Sequence, residues 1–180
     1  MSEVITQLPE VFDQEAFNLD RWSELEADPF LASLGHRIET NRFGQILLMP
    51  PSGFEHSRLQ TRMTLLLQRL METRDGEVFA ECPVSTNGGV KGVDLAWISN
   101  ARVAEGLRRN VLTLAPEICV EVLSPANTRA EIEEKRRLYF EAGAKEVWIA
   151  STGGEIAFFD EAGEREGSGL CPGFPARIGV

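Results

Sequence analysis

Apolar residues along the chain recur with two periods, about two in some segments and about three and a half in others, and the switches between them mark the elements. Residues 1–34 read as an irregular lead followed by one or two short helices, with Trp22, Leu25, Phe30, Leu31 and Leu34 available for packing. HRIETN and GQILLM, separated by the turn-prone Arg42, Phe43 and Gly44, read as paired strands, and Pro50 with Pro51 ends the second. Ser52 followed three residues later by Glu55 has the capping-box pattern and predicts a helix running to about Arg74, stopped by Asp75 and Gly76. Its apolar stripe is Leu59, Met63, Leu66 and Leu70. Three strand-like segments follow, EVFAEC, PVST and VDLAWIS, with Gly88 and Gly89 turning the chain before the last. After a short helical or irregular stretch around residues 100–110 comes the apolar run EICVEVLS. A helix from about Asn127 to Ala142, closed by Gly143, then leads to strands KEVWIA and EIAFFD around Gly153 and Gly154. This order predicts an α/β (α+β) architecture, a mixed β-sheet flanked by helices. With no internal repeat and no low-complexity linker, the expectation is one domain over residues 36–180, with residues 1–35 as a helical extension packed on it.

Composition narrows the class. A chain of 180 residues that is 43% hydrophobic and 26% charged is ordinary for one folded domain. No run approaches the roughly 20 apolar residues of a membrane span, and the acidic start MSEVITQLPEVFDQE is unlike a secretory signal, so the expected location is cytoplasmic and no membrane partner is expected. Cys82, Cys119 and Cys171 are far apart and accompanied only by His36 and His56, which implies neither a disulfide framework nor a zinc site. The net charge of -10 argues against a protein that coats nucleic acid, because that affinity comes from Lys and Arg on phosphates. Cations nonetheless cluster at Arg58, Arg62, Arg69 and Arg74, at Arg108 and Arg109, and at Lys135, Arg136 and Arg137. Each cluster is either part of a basic groove or a solvated helix face, and the sequence leaves both open.

Three charged residues stand where apolar ones are expected. VDLAWIS is apolar on both faces, Val93, Leu95 and Trp97 alternating with Asp94, Ala96 and Ile98, as in a strand buried on both sides. EICVEVLS has Ile118, Val120 and Val122 on one face and Cys119, Glu121 and Leu123 on the other. A buried carboxylate costs several kcal/mol unless it is paired, protonated or metal-bound. On the helix that follows, 100° per residue from Ile132 puts Lys135 at roughly 300°, between Leu138 at roughly 240° and Tyr139 at roughly 340°, inside the apolar stripe. The strand runs about three residues from Glu121 to Ser124, roughly 10 Å, and the helix returns about eight residues from Asn127, roughly 12 Å, so Lys135 comes back to the level of Glu121. An internal salt bridge for packing alone and a metal-assisted phosphoryl site both satisfy this pattern. Oxygen ligands suit a hard cation, and a nearby ammonium stabilises charge or orients a water.

Read together, VDLAWIS, APEICVEVLSPAN and EEKRRLYFEAGAKEVWIAS resemble the Uma-type restriction-endonuclease family, a branch of the PD-(D/E)XK nucleases, and ETNRFGQILLMPPSGFEHSRL extends the likeness over about residues 36–160. The resemblance implies a restriction-endonuclease-like fold in which Asp94 and Glu121 coordinate Mg²⁺ or Mn²⁺ together with the backbone carbonyl of Val122. In the wider superfamily the lysine stands two residues after the second acid, where this chain has Leu123; the Uma-type branch carries it on the following helix, which Lys135 matches. Val93 replaces the family's usual proline and Phe43-Gly44 its usual Asp-Gly, neither of which removes a ligand. Glu39 matches an acidic strand position that supplements the metal, and His56 a histidine near substrate, against plainer readings as a surface glutamate and a packing histidine. Tyr139 reads as core.

The function expected from this resemblance is metal-dependent hydrolysis of DNA phosphodiesters, with catalytic Asp94, Glu121 and Lys135. The alternative is a nuclease-fold module that binds or assembles without cutting, which the acidic charge favours. A homodimer is expected by analogy with restriction-like nucleases.

Overall fold

The computed structural model describes residues 12–49, 51–125 and 127–179. The predicted lead before Phe12 and the predicted strand stop at Pro50 fall outside them. Two capped helices come first, α1 (Gln14–Glu26) and α2 (Pro29–Ser33), whose N-caps Asp13 and Asp28 accept hydrogen bonds from first-turn N–H groups. An antiparallel ribbon of β1 (Arg37–Thr40) and β2 (Ile46–Met49) follows. Then come α3 (Phe54–Met71), β3 (Gly76–Thr86), β4 (Gly89–Ser99), α4 (Asn100–Gly106), β5 (Leu107–Arg108) and β6 (Val111–Leu112). The chain continues through β7 (Ile118–Val122), α5 (Arg129–Glu141), β8 (Glu146–Ala150), β9 (Ile156–Asp160) and β10 (Gly163–Arg165). Among the described residues no helix is long and apolar enough to cross a membrane.

The main sheet has the order β10-β9-β8-β7-β4-β3-β6-β5. β7 and β8 are parallel, joined by α5 as a crossover, and β3 and β6 are parallel, while the other pairs are antiparallel. This is the mixed sheet flanked by helices that the element order predicts. On one face α3 buries Leu59, Met63, Leu67 and Met71 against Leu95, Trp97, Ile118, Val120 and Trp148. On the other, Tyr139 of α5 and Ala144 close over Val93, Ala96, Ile98, Cys119 and Val147. Glu146, at the start of β8, is buried without a cation. Its carboxylate instead accepts from Trp148 Nε1, Ser168 Oγ and the N–H groups of Gly169 and Leu170, which pins the C-terminal segment to the sheet.

Several local expectations differ from the structure for identifiable reasons. The cap of α3 is Gly53, which makes no side-chain bond, and the capping box lies instead at the start of α5, between Thr128 and Glu131. The buried stripe of α3 steps by four to Leu67 and Met71, leaving Leu66 partly buried and Leu70 exposed, because the helix lays an i, i+4 row, which slants across its axis, along the sheet. EVFAEC and PVST form the single strand β3; Pro83 is tolerated because the outer side of β3 pairs with β6 only at Val84. The segment predicted as helical or irregular holds both α4 and the hairpin β5–β6, turned by Arg109 and Asn110 at φ 47° and 62°. Strand β10 also goes beyond the sequence expectation. Finally, the alternation of β4 slips at one place: Val93 packs with Ala96 and Ile98 rather than with Leu95 and Trp97. The slip coincides with Glu81, the residue facing Asp94 across the β3–β4 register, whose φ of +57° leaves a gap in an otherwise continuous ladder.

Candidate active site

The β4–β7 ladder pairs Leu95 with Val120, Ala96 with Cys119 and Trp97 with Ile118. The ladder ends there: the Val122 N–H, which would carry it one step further, donates instead to Asp94 Oδ2, so Asp94 and Glu121 stand next to one another where the two strands part. On the other side of β4, the flanking pairs Ala80–Leu95 and Cys82–Val93 set Glu81 opposite Asp94. β3, β4 and β7 thus each bring a carboxylate to this part of the sheet.

Asp94 is held on every side. The N–H of Val122 donates to Oδ2 at 2.8 Å, His56 Nε2 lies 3.4 Å from the same oxygen, and the guanidinium of Arg37 donates to Oδ1. Gln60, one turn after His56 on α3, donates to the Asp94 carbonyl. Burial alone would raise the Asp94 carboxyl, but His56, Arg37 and the Val122 N–H carry it down to about 2. His56 is raised in turn, first by its contact with Asp94.

Glu121 is buried against α5. Tyr139 Oη donates to Oε1 at 2.6 Å and Lys135 Nζ to Oε2 at 3.1 Å. The same ammonium reaches Glu39 Oε1 at 2.8 Å. Desolvation, aided by the nearby charges of Asp94 and Glu39, outweighs Lys135 and pushes Glu121 up to about 7. For Lys135, burial would lower the pKa, yet the two carboxylates keep it above its ordinary value.

Glu39 arrives because β1 crosses the start of β4 closely. At Gly89, φ is +100° and an added Cβ would lie 2.4 Å from the Thr40 carbonyl and 2.5 Å from that of Asn41. The approach is fixed by Val90 N–H to Thr40 Oγ1, Lys91 Nζ to the Thr40 carbonyl, and Gly92 N–H to Glu39 Oε1. Glu39 is therefore fully buried.

Of the residues singled out in the sequence, Asp94, Glu121, Lys135, Glu39 and His56 thus meet in one cluster, and Val122 joins them through its N–H. Sequence reasoning missed Arg37 and Gln60, and it assigned Tyr139 to the core alone although its hydroxyl touches Glu121. Spacing carried a signal for two of these: Gln60 is four residues after His56, and Tyr139 four after Lys135, on the same helix faces.

The sequence signature described as "Uma2: Putative restriction endonuclease" matches residues 22–166. The chain belongs to the Uma2 family. A solved structure titled as a putative nuclease belonging to DUF820, from Anabaena variabilis, has a similar fold. Its TM-score is 0.59 at 17% identity, covering 68% of this chain and 71% of that one. No curated protein matches the sequence.

Family membership implies a divalent cation, and the donor chemistry of this Uma2 chain fits one. A carboxylate has about four acceptor positions. Glu121 uses two, on Tyr139 and Lys135, and Asp94 three, on Val122, His56 and Arg37, so both keep capacity for a hard cation. Among the described residues Nδ1 of His56 is buried without a partner, a further polar atom left for a ligand or water. Among the described residues no three His, Cys, Asp or Glu side chains are already set to hold a metal. Arg37 and Lys135 stand interleaved with the acids instead.

Proposed function

We propose that this chain is a metal-dependent nuclease that hydrolyses DNA phosphodiester bonds at the cluster of Asp94, Glu121, Glu39 and Lys135. The observation that carries the reading is two neighbouring buried carboxylates, Asp94 and Glu121, with the inward-facing Lys135 on Glu121, in the Uma2 family. Asp94 and Glu121 would hold Mg²⁺ or Mn²⁺, with the Val122 carbonyl as a third ligand. The bound cation would supply Lewis-acid polarisation of the scissile phosphate. Lys135 orients the attacking water or stabilises developing negative charge, a role for which its two carboxylate contacts preorganise it. Glu39 fixes the lysine, Tyr139 fixes Glu121, and His56 with Gln60 fixes Asp94. The described residues up to 35 act as an extension of the single nuclease-like domain, and a homodimer in the cytoplasm completes the reading.

The test is cleavage of supercoiled and linear DNA by purified protein with Mg²⁺ or Mn²⁺. Wild type nicks or cuts, chelation stops it, and Glu121→Gln and Lys135→Met abolish it while remaining folded by circular dichroism. Activity surviving Glu121→Gln removes that residue from the chemistry.

A second reading, a nuclease-fold module that binds or assembles without cutting, is favoured by the net charge of -10 and by the internal cations already neutralising the acids. Wild-type protein that neither binds Mn²⁺ nor cleaves any DNA offered would select it.

A further inference from the structure

Arg37 has no part in the chemistry described above, yet among the described residues it alone holds Oδ1 of Asp94, while Val122 and His56 share Oδ2. Its Nη1 donates to Asp94 Oδ1 and lies 3.8 Å from Oε1 of Glu81. The two anions differ sharply. The Asp94 side chain is 2% exposed and that of Glu81 48%, so one guanidinium nitrogen stands between a desolvated carboxylate and a hydrated one. Glu81 also holds a conformation that glutamate rarely adopts. Its φ is +57°, in the left-handed region that side chains avoid, and the ladder pairs on either side hold it there, opposite Asp94.

We infer that Arg37 is a built-in counter-ion that competes with the divalent cation for Asp94, and that Glu81 is the seat to which it retreats when the cation binds. The inference rests on the metal-dependent reading of the site. Before the cation arrives, Arg37 neutralises a carboxylate that would otherwise be buried beside Glu121 with His56 as its only side-chain partner among the described residues. A dication on Asp94 repels the guanidinium, and a guanidinium displaced into a partly buried site without an anion would carry its own penalty. Glu81 removes that penalty because its carboxylate already faces the same nitrogen. Lys135 is not displaced in this exchange, since Glu39 and Glu121 both hold it. The pair Arg37–Glu81 therefore sets metal affinity while neither residue ligates the metal. Both act through Asp94 and are positioning residues.

Calorimetric titration of the full chain with MnCl₂ at neutral pH tests this, with thermal melting to establish folding. Arg37→Gln, which keeps a donor but loses the charge, binds Mn²⁺ about tenfold more tightly than wild type, the size of a typical coupling between sites. Glu81→Gln, a change at a half-exposed side chain, binds about threefold more weakly because the displaced guanidinium has lost its anion. The double variant matches Arg37→Gln, since without Arg37 the seat has no occupant. Arg37→Lys, which keeps the charge, stays near wild type and serves if the glutamine variant does not fold. Unchanged or weaker Mn²⁺ binding in Arg37→Gln overturns the inference, as does unchanged binding in Glu81→Gln, and either result leaves the metal-site reading standing. Absence of Mn²⁺ binding in wild type and every variant overturns both.

Discussion

Replacing Lys135 by Met removes one ammonium that serves two carboxylates, Glu39 at 2.8 Å and Glu121 at 3.1 Å, with side-chain exposures of only 3% and 5%. At an effective dielectric of about 20, each contact is worth roughly 5 kcal/mol of Coulomb attraction before desolvation is subtracted. Removing one partner of a buried pair typically costs about 3–5 kcal/mol net. The loss depends on pH because Glu121 has a way out: it can take up a proton. Its folded pKa of about 7 stands above the 4.5 of the unfolded chain. Stability from this carboxyl is therefore fully present below about 4.5 and is lost as pH rises towards 7, by roughly 3 kcal/mol. At pH 5.5 Glu121 is largely protonated and Lys135 supports mainly Glu39; at pH 8.5 it must support both. Urea unfolding of wild type, Lys135→Met and Lys135→Met/Glu121→Gln at the two pH values reads this out. The single variant loses about 3 kcal/mol or more at pH 8.5 and about half as much at pH 5.5. The double variant recovers part of the loss at pH 8.5 only. An equal loss at both pH values, or one below about 1 kcal/mol at pH 8.5, would mean that the contact behaves like a solvent-exposed pair and that the buried-cluster argument is wrong.

Three further outcomes follow from the packing. Gly89→Ala puts a Cβ 2.4 Å from the Thr40 carbonyl at a φ of +100°, so it should cost about 2–3 kcal/mol and free β1, seen as faster amide exchange at Val90 and Gly92. Glu146→Ala leaves Trp148 Nε1, Ser168 Oγ and two backbone N–H groups without their acceptor; it should destabilise by roughly 3 kcal/mol or more and make the C-terminal segment protease-sensitive, both checked against wild type in denaturant and limited-proteolysis series. Thr128→Ala removes the capping box of α5 and should lower stability by about 1 kcal/mol, with Mn²⁺ affinity unchanged, because the cap lies about two turns, roughly 10 Å, before Lys135 and touches none of its partners.

The legible part of the site was the part that breaks a pattern. Asp94 and Glu121 interrupt strands apolar on both faces, and Lys135 interrupts an apolar helix face, so alternation and helical phase alone single them out. Glu39 and His56 needed the family resemblance, because a strand glutamate and a helix histidine are unremarkable by themselves. Arg37 was invisible for a different reason: it belongs to a short ribbon strand of ordinary polarity, and only the crossing of β1 over β4 brings it to Asp94. Glu81 gave no signal, since a left-handed glutamate looks like any other in sequence. The sheet as a class followed from element order, whereas β5, β6 and β10 are two or three residues long, too short for periodicity to register. The continuity of β3 was hidden by Pro83, whose place on a mostly unpaired strand side is a matter of sheet order.

Whether Asp94 and Glu121 form a metal site is tested most directly by an anomalous difference map from crystals soaked in MnCl₂ near neutral pH. The expected result is one strong peak shared by Asp94 and Glu121, with the Arg37 guanidinium drawn away from Asp94 towards Glu81. A map with no peak at these residues, and Arg37 still on Asp94 at saturating Mn²⁺, would contradict it.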